Sequence, residues 1–409
     1  MKSFGNWRKE SIRLLYTTVL LLLNSSLLID QSQANNLDHN LGDFAIKTYH
    51  ELNDYSRMFI FSPFLLQMTG AVIHLGTSGK AAAEIDKCFD LDPTYKTDEI
   101  ADYFYQRLLR IKTSKFVKFV NRVYIEYDYE VKESFSNLLK KKFLLDIETV
   151  DFSKHQETLA KINQFAASIT DNVMQNAVYD DEFREFDKLV TLNVLYFKGK
   201  WKIEFPPEKN SIKDFNVTPN QTVPIEVMNV KAEFNYVSLP QLDISVLELP
   251  YDGGDKSWSM SMLVFLPKEN ITLTDIKTKL DKICFKDVLE SMSSTVVNVQ
   301  LPKFSAKERG DFTFHLEELG LNHTLESSND FDKMLKTPKD LNLAAMATEF
   351  VLDVNEDGAN RAAEVSGAAE EFIADRPFMY AIICKGTVLD EPFPLIIGRY
   401  TPLLVKYFT

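Results

Sequence analysis

The sequence predicts an α+β fold in a single large domain. Three observations carry this. Helical and extended patterns are mixed without a regular β-α alternation, which argues against a doubly wound parallel sheet. The first third of the chain is mostly helical, and the second half is richer in strands. No internal repeat, low-complexity tract or Pro/Gly/Ser-rich linker divides the 409 residues, so their length supports one large core.

The elements follow in order. Lys2, Arg8, Lys9 and Arg13 precede an apolar run from Leu14 to Leu28, and Ser32 and Ala34 then have the spacing of a signal-peptidase site. Residues 1–34 therefore read as a secretory signal, leaving 35–409 as the domain of a secreted, extracellular protein. The other reading is a membrane anchor. The run is short for a span, Asn24-Ser25-Ser26 interrupts it, and no later run is long enough, so no membrane partner is expected. Phe59-Ile60-Phe61-Ser62-Pro63 passes from extended chain into a helix, with Pro63 in the first turn where a missing N–H costs nothing. Ile100 to Ile111 keeps helical spacing, Lys118 to Tyr124 alternates as a strand, and Lys132 to Lys142 returns to helix. Leu189 to Phe197, Val246 to Leu249, Met260 to Leu266, Val296 to Leu301 and Phe350 to Val354 read as strands.

Composition excludes several classes. The net charge is −13, and removing residues 1–34 takes four basic and two acidic residues, leaving about −15. That argues against nucleic acid as a partner. Cys88, Cys284 and Cys384 are too few for a disulfide framework and allow at most one bridge. Asn216-Val217-Thr218, Asn220-Gln221-Thr222, Asn270-Ile271-Thr272 and Asn322-His323-Thr324 are glycosylation acceptors, which behind a signal peptide imply a glycosylated surface. Gly-x-Ser-x-Gly, His-Glu-x-x-His, Cys-x-x-Cys and phosphate-binding loops are absent, and the six histidines show no metal spacing. A non-enzyme without cofactor or metal is expected, and a monomer. Asp353-x-Asn355-x-Asp357-Gly358-x5-Glu364 fits the calcium-loop pattern. Against it, Asn360 stands where an apolar residue belongs, and Phe350-Val351-Leu352 is β-prone instead of helical.

Across nearly the whole domain the chain resembles the serpins, a family of mostly extracellular serine-protease inhibitors. Phe61-Ser62-Pro63, Asn121-Arg122-Val123-Tyr124 and Val150-Asp151-Phe152 carry the resemblance, with Ile162-Asn163-Gln164-Phe165 and Thr170 behind them. The strongest block is Leu192-Asn193-Val194-Leu195-Tyr196-Phe197-Lys198-Gly199-Lys200-Trp201 with Phe205. Leu247-Glu248-Leu249-Pro250-Tyr251, Leu301-Pro302-Lys303-Phe304 and Leu395-Ile396-Ile397-Gly398-Arg399 complete it. The resemblance implies three β-sheets, about nine helices and an exposed reactive-centre loop, here about 355–373.

Serpins present that loop as bait. The cut loop then inserts as a new strand of the main sheet and carries the acylated protease with it, released from a strained native state. The inserting segment must be small, and the loop long. Here one face of the segment is Ala359, Arg361, Ala363 and Val365, and the other is Asn360, Ala362, Glu364 and Ser366. Arg361 and Glu364 stand where inhibitors usually keep Ala, and burying Arg361 unpaired costs several kcal/mol. Only 18 residues, Ala359 to Arg376, separate Gly358 from Pro377-Phe378, several fewer than in inhibitory members. Counting from Glu356 puts the scissile position near Phe372, already part of the strand after the loop. The family's polar latch under the sheet matches at Ser62 and Asn193, while its His aligns with Ala347 and a second Ser with Leu65, so apolar packing is expected there. Trp201, where the loop would first enter, is kept. Arg107, Arg110, Lys112 and Lys115, with Lys118, form a basic stretch that resembles the sulfated-glycan site of some serpins; a solvated helix face is the plainer reading. The expected protein is a secreted serpin that no longer inhibits by insertion and acts by binding. Its partner is an extracellular serine protease or another secreted protein. A working inhibitor and a calcium-binding module at Asp353 to Glu364 are the alternatives.

Overall fold

The computed structural model describes residues 31–402 except 53–56, 181–186, 254–257, 362–364, 366 and 387–390. Nine α-helices occur among them: α1 (Gln31–Leu52), α2 (Pro63–Gly76), α3 (Gly79–Cys88), α4 (Thr97–Thr113), α5 (Glu133–Leu138), α6 (His155–Ile169), α7 (Lys277–Leu280), α8 (Phe285–Ser291) and α9 (Thr313–Glu318). The strands are β1 (Phe59–Phe61), β2 (Val117–Glu126), β3 (Ile147–Val150), β4 (Leu189–Lys198), β5 (Trp201–Ile203), β6 (Ser211–Thr218), β7 (Gln221–Leu239) and β8 (Ile244–Pro250). They continue as β9 (Trp258–Pro267), β10 (Ser293–Pro302), β11 (Phe304–Asp311), β12 (Ala345–Val354), β13 (Gly358–Asn360), β14 (Glu370–Ile373), β15 (Phe378–Gly386) and β16 (Phe393–Tyr400). They form three sheets: a nine-stranded one, a five-stranded one in the order β11-β12-β4-β2-β3, and the pair β13-β5. Helices and sheets segregate as an α+β fold requires.

The central helix α2 shows why the sequence folds this way locally. Ser62 Oγ accepts the Leu65 N–H (3.2 Å) and caps it, Pro63 opens it, and 13 of its 14 residues are buried, so it needs no polar face. The five-stranded sheet separates two apolar layers. Leu195, Phe197, Phe350 and Leu352 face the main core, while Leu192, Val194, Ala347 and Val351 face α6 on the outer side. That alternation fixes which residues can meet beneath the sheet.

Helix α4 corrects one expected site. Asp98 and Glu99 open it and Arg110 and Lys112 close it, each suiting the helix dipole. Arg107 points inward instead, 5% exposed. Its Nε donates to Asp38 Oδ1 of α1 (2.8 Å), a second guanidinium N–H reaches Asp38 Oδ2, and its carbon lies 3.7 Å from the Tyr103 ring centre. An arginine spent on a buried carboxylate is not available to a glycan. Lys112 and Lys115 are exposed and Arg110 is half-buried.

Residues 1–30, the core of the expected signal, lie outside the described residues. Helix α1 runs unbroken across the expected boundary at Ala34. No described helix is long and apolar enough to cross a membrane. Cys88 and Cys384 are buried, Cys284 is half-buried, and all three thiols are free. Burial pushes the Cys88 thiol up to about 12. Replacing Asp38 with Ala should cost about 3–5 kcal/mol of unfolding free energy, because it strands a buried guanidinium. Lys112→Ala should stay within about 0.5 kcal/mol. Urea denaturation of the two variants checks the difference.

Candidate functional site

The hinge is built on the end of the β12–β4 pair. These strands are parallel and directly hydrogen-bonded, from Ala345 opposite Val190 to Asp353 opposite Lys198, so no strand lies between them. Past β12 the chain turns and β13 pairs parallel with β5, Gly358 opposite Trp201 and Asn360 opposite Ile203. Trp201 N–H donates to Asp357 O (2.8 Å), Glu204 N–H to Asn360 O (2.9 Å) and Phe205 N–H to Glu356 O (3.2 Å). Trp201 is buried, stacks on Tyr251 with ring centres 4.4 Å apart, and donates Nε1–H to Asn355 O (2.6 Å). At Gly358 a Cβ would sit 2.1 Å from the Glu204 backbone, so only glycine allows this approach. Glu356 pairs with Lys303 at 3.0 Å.

Beyond the hinge, Ala359 and Arg361 are exposed, and Arg361 pairs with Glu204 at 3.5 Å while remaining 94% exposed. Ala363 and Glu364 lie outside the described residues. β14 begins nine residues after Arg361, and Phe372 lies in it, 1% exposed and opposite Val299 of β10. A protease cannot read a side chain buried in that way.

The latch beneath the sheet differs from the expectation. Asn193 is opposite Thr348, not Ala347. Ala347 is opposite Leu192 and belongs to the outer layer under α6. A shift of one residue along a strand moves a side chain to the other face. Ser62 and Asn193 do not bond each other: Ser62 Oγ donates to Leu395 O (2.6 Å). Asn193 Oδ1 instead accepts from Thr69 Oγ1 (2.6 Å) and Asn121 Nδ2 (3.0 Å), and Asn121 Nδ2 also reaches Thr69 Oγ1 (2.9 Å). The latch is therefore polar, built from Thr69, Asn121 and Asn193, with Leu65 buried beside it.

The other candidates are dispersed. Asn216, Asn220, Asn270 and Asn322 are all exposed. Of the calcium-loop residues, Asp353 lies in a strand with its carboxylate taken by Tyr196 Oη (2.8 Å) and Ser305 Oγ (2.7 Å), and Asp357 turns back on Asn355. Among the described residues no group of three His, Cys, Asp or Glu side chains is placed to hold a metal.

The model of the Serpin (serine protease inhibitor) family matches residues 39–401. The chain belongs to the serpin family. It is 28% identical over 358 residues to Serpin B5 of Xenopus tropicalis, covering 84% of this chain and 91% of that protein. Over 366 residues it is 28% identical to Intracellular coagulation inhibitor 2 of Tachypleus tridentatus, covering 86% of this chain and 88% of that protein. Among solved structures, Cleaved Serpin 42Da superposes with a TM-score of 0.80 at 28% identity, covering 91% of this chain and all of that one. The same comparison corrects the expected secretion. Similarity along most of the chain to an inhibitor named as intracellular overturns the extracellular placement read from residues 1–34. Exposure alone assigns no glycan to the four asparagines.

Three functional residues of this serpin escaped the sequence. Thr69 carries no motif beyond its place in an apolar run, Asn121 was read only as part of the Asn121-Arg122-Val123-Tyr124 block, and the sheet is what brings both to Asn193. Lys303 lies 53 residues from Glu356. Burial raises the Glu356 carboxyl, but a backbone hydrogen bond and the Lys303 ammonium outweigh it and hold it below the usual carboxylate range. Because that pKa is depressed in the folded chain, the pair contributes fully above the unfolded value of about 4.3 and is lost as pH falls through the folded value. The protection factor of the Phe205 amide, its exchange rate corrected for the intrinsic pH dependence, should thus fall as pH drops below the unfolded carboxylate value of about 4.3, and Lys303→Met should abolish the step. A step that persists in the variant would assign it elsewhere. For the latch, Thr69→Val should cost about 1–3 kcal/mol. Combined with Asn121→Leu its effect should be non-additive, while with Ala347→His the effects should add. Denaturant midpoints of the single and double variants decide.

Proposed function

We propose that this serpin engages its partner by surface binding and does not trap proteases by loop insertion. One geometric fact carries the reading: the loop is tied at both ends, by β13 on β5 and by β14 on β10, with only Arg361 to Ala369 between. β4 and β12 are each ten residues long, so a strand that fills the space between them needs about as many. The chain available from Ala359 to Ala369 is eleven residues. Only a cut in the last few bonds before β14 would free enough, and a cut after Arg361 frees three. Arg361 on the face meant for the core adds a desolvation cost of several kcal/mol.

The partner that fits best is a serine protease held reversibly at the exposed loop, or a protein ligand that uses the same pole. A working inhibitor is the second reading. It is favoured by the relative named as a coagulation inhibitor and by the β12–β4 pair, which has no strand inserted. Thermal unfolding before and after a single cut between Arg361 and Ala369 separates the two. A midpoint that barely moves, with the cutting protease still active, supports binding without trapping. A strong rise, together with an SDS-resistant complex of serpin and protease, overturns it.

A further inference from the structure

A cavity of about 470 Å³ opens at the junction that follows β14. Its walls are the β6–β7 turn, the turn 269–274 after β9, and Asp375-Arg376-Pro377 between β14 and β15, and Arg399 of β16 also lines it. These walls are tied to one another. Asn216 N–H of β6 donates to Asp375 O (2.7 Å), and Arg376 Nε donates to Pro267 O at the end of β9 (2.8 Å). The turn after β9 is closed on itself by Ile271 N–H to Lys268 O (3.1 Å) and Thr272 N–H to the Asp275 carboxylate (2.8 Å). Val217 and Ile271 pack against the main core, and Leu273 belongs to it. The lining is therefore partly apolar and is set before anything enters, with the volume of a small-molecule site.

The polar groups of the cavity are unbalanced toward donors. Asp375 is spent within the protein: Oδ1 accepts from Arg376 Nη1 (2.6 Å) and Oδ2 from Asn216 Nδ2 (3.4 Å). Thr272 Oγ1 is spent on Asp275 (2.6 Å). Arg376 Nη2 and the Asn270 side-chain amide have no hydrogen-bond partner among the described residues. The Arg376 side chain is 19% exposed, and the bonds at Nε and Nη1 hold its planar guanidinium, so meeting an acceptor costs it little ordering. Arg399 adds a second guanidinium, on a residue 5% exposed. The other lining carboxylate, Glu269, is exposed, where water and salt screen it.

We propose that this cavity binds a small carboxylic acid with an apolar body, its carboxylate on Arg376 and its hydrocarbon against Val217, Ile271 and Leu273. The carboxylate supplies the acceptor that Nη2 and Asn270 lack, in charge-assisted hydrogen bonds. A hydrocarbon body covers the apolar lining without stranding a polar group. A compact hydrated anion such as phosphate gains nothing from that lining, and an amine meets two guanidiniums with no buried carboxylate left to receive it. The cavity uses none of residues 358–373, so the site stands apart from the proposed partner binding at the loop.

Calorimetric titration of the full chain with octanoate, octan-1-ol and octylamine tests this, in the parent and in Arg376→Gln, Asn270→Asp and Ile271→Asp. Octanoate should bind at one site per chain, about ten-fold tighter than octanol, and octylamine should bind weakest. Arg376→Gln should weaken octanoate about ten-fold and leave octanol nearly unchanged. Asn270→Asp places a like charge beside the carboxylate at an exposed position and should weaken octanoate alone, so the test holds even if Arg376→Gln fails to fold. Ile271→Asp should weaken both ligands, and urea midpoints establish that each variant is folded. Equal affinity for octanoate and octanol overturns the proposal, as does unaltered octanoate binding by folded Arg376→Gln or by Asn270→Asp. Failure of octanoate to saturate the parent below about 1 mM overturns it as well.

Discussion

The parallel pairing of β12 with β4 sets the position of nearly every residue that matters in this molecule. Nine registered pairs hold two halves of a sheet together at a line with no chain crossover of its own, since β12 and β4 are far apart in sequence. Parallel pairing is slightly weaker per residue than antiparallel pairing. The line is therefore supported from three directions. Beneath it lies the amide and hydroxyl cluster of Thr69, Asn121 and Asn193, at its end the Trp201–Tyr251 stack with the Glu356–Lys303 pair, and over it the α6 layer. Each support is local and modest, of the order of 1 kcal/mol for a single neutral hydrogen bond. Together they act on one opening coordinate.

The loop is a second constraint of a different kind. Nine residues lie between β13 and β14, and both neighbours of that stretch are structured. At the β13 end the backbone carbonyls of Asp357 and Asn360 accept from Trp201 and Glu204, and β14 places Phe372 in the apolar core beside Val299. Extending the loop at either end would mean giving up one of these. Gly358 shows how tightly the first end is set, since its α-carbon has no room for a side chain against Glu204.

Much of this architecture was legible in the sequence, and the failures have physical causes. Strands and helices with strong periodicity, such as β4, β9 and α4, coincide with the expected segments, because burial on one face or both leaves a clear pattern. Ser62-Pro63 marks the start of α2 because a cap and an N1 proline are local chemistry. The latch was misread by one residue. Ala347 and Thr348 are neighbours in sequence but face opposite layers, and only the register with Leu192 and Asn193 separates them. Arg107 was misread as surface although Tyr103, Phe104 and Ile111 place it on the apolar stripe of α4. Its partner Asp38 is 69 residues away, beyond the reach of any local pattern. The same distance problem hid Lys303 from Glu356.

The three free thiols have a consequence for where such a fold can work. No covalent bridge contributes to holding the sheets together, and two of the three sulfurs are sealed in apolar surroundings that disfavour the reactive thiolate. The fold thus relies on no bridge that a reductant could open. Nothing in its core waits on an oxidant to finish folding.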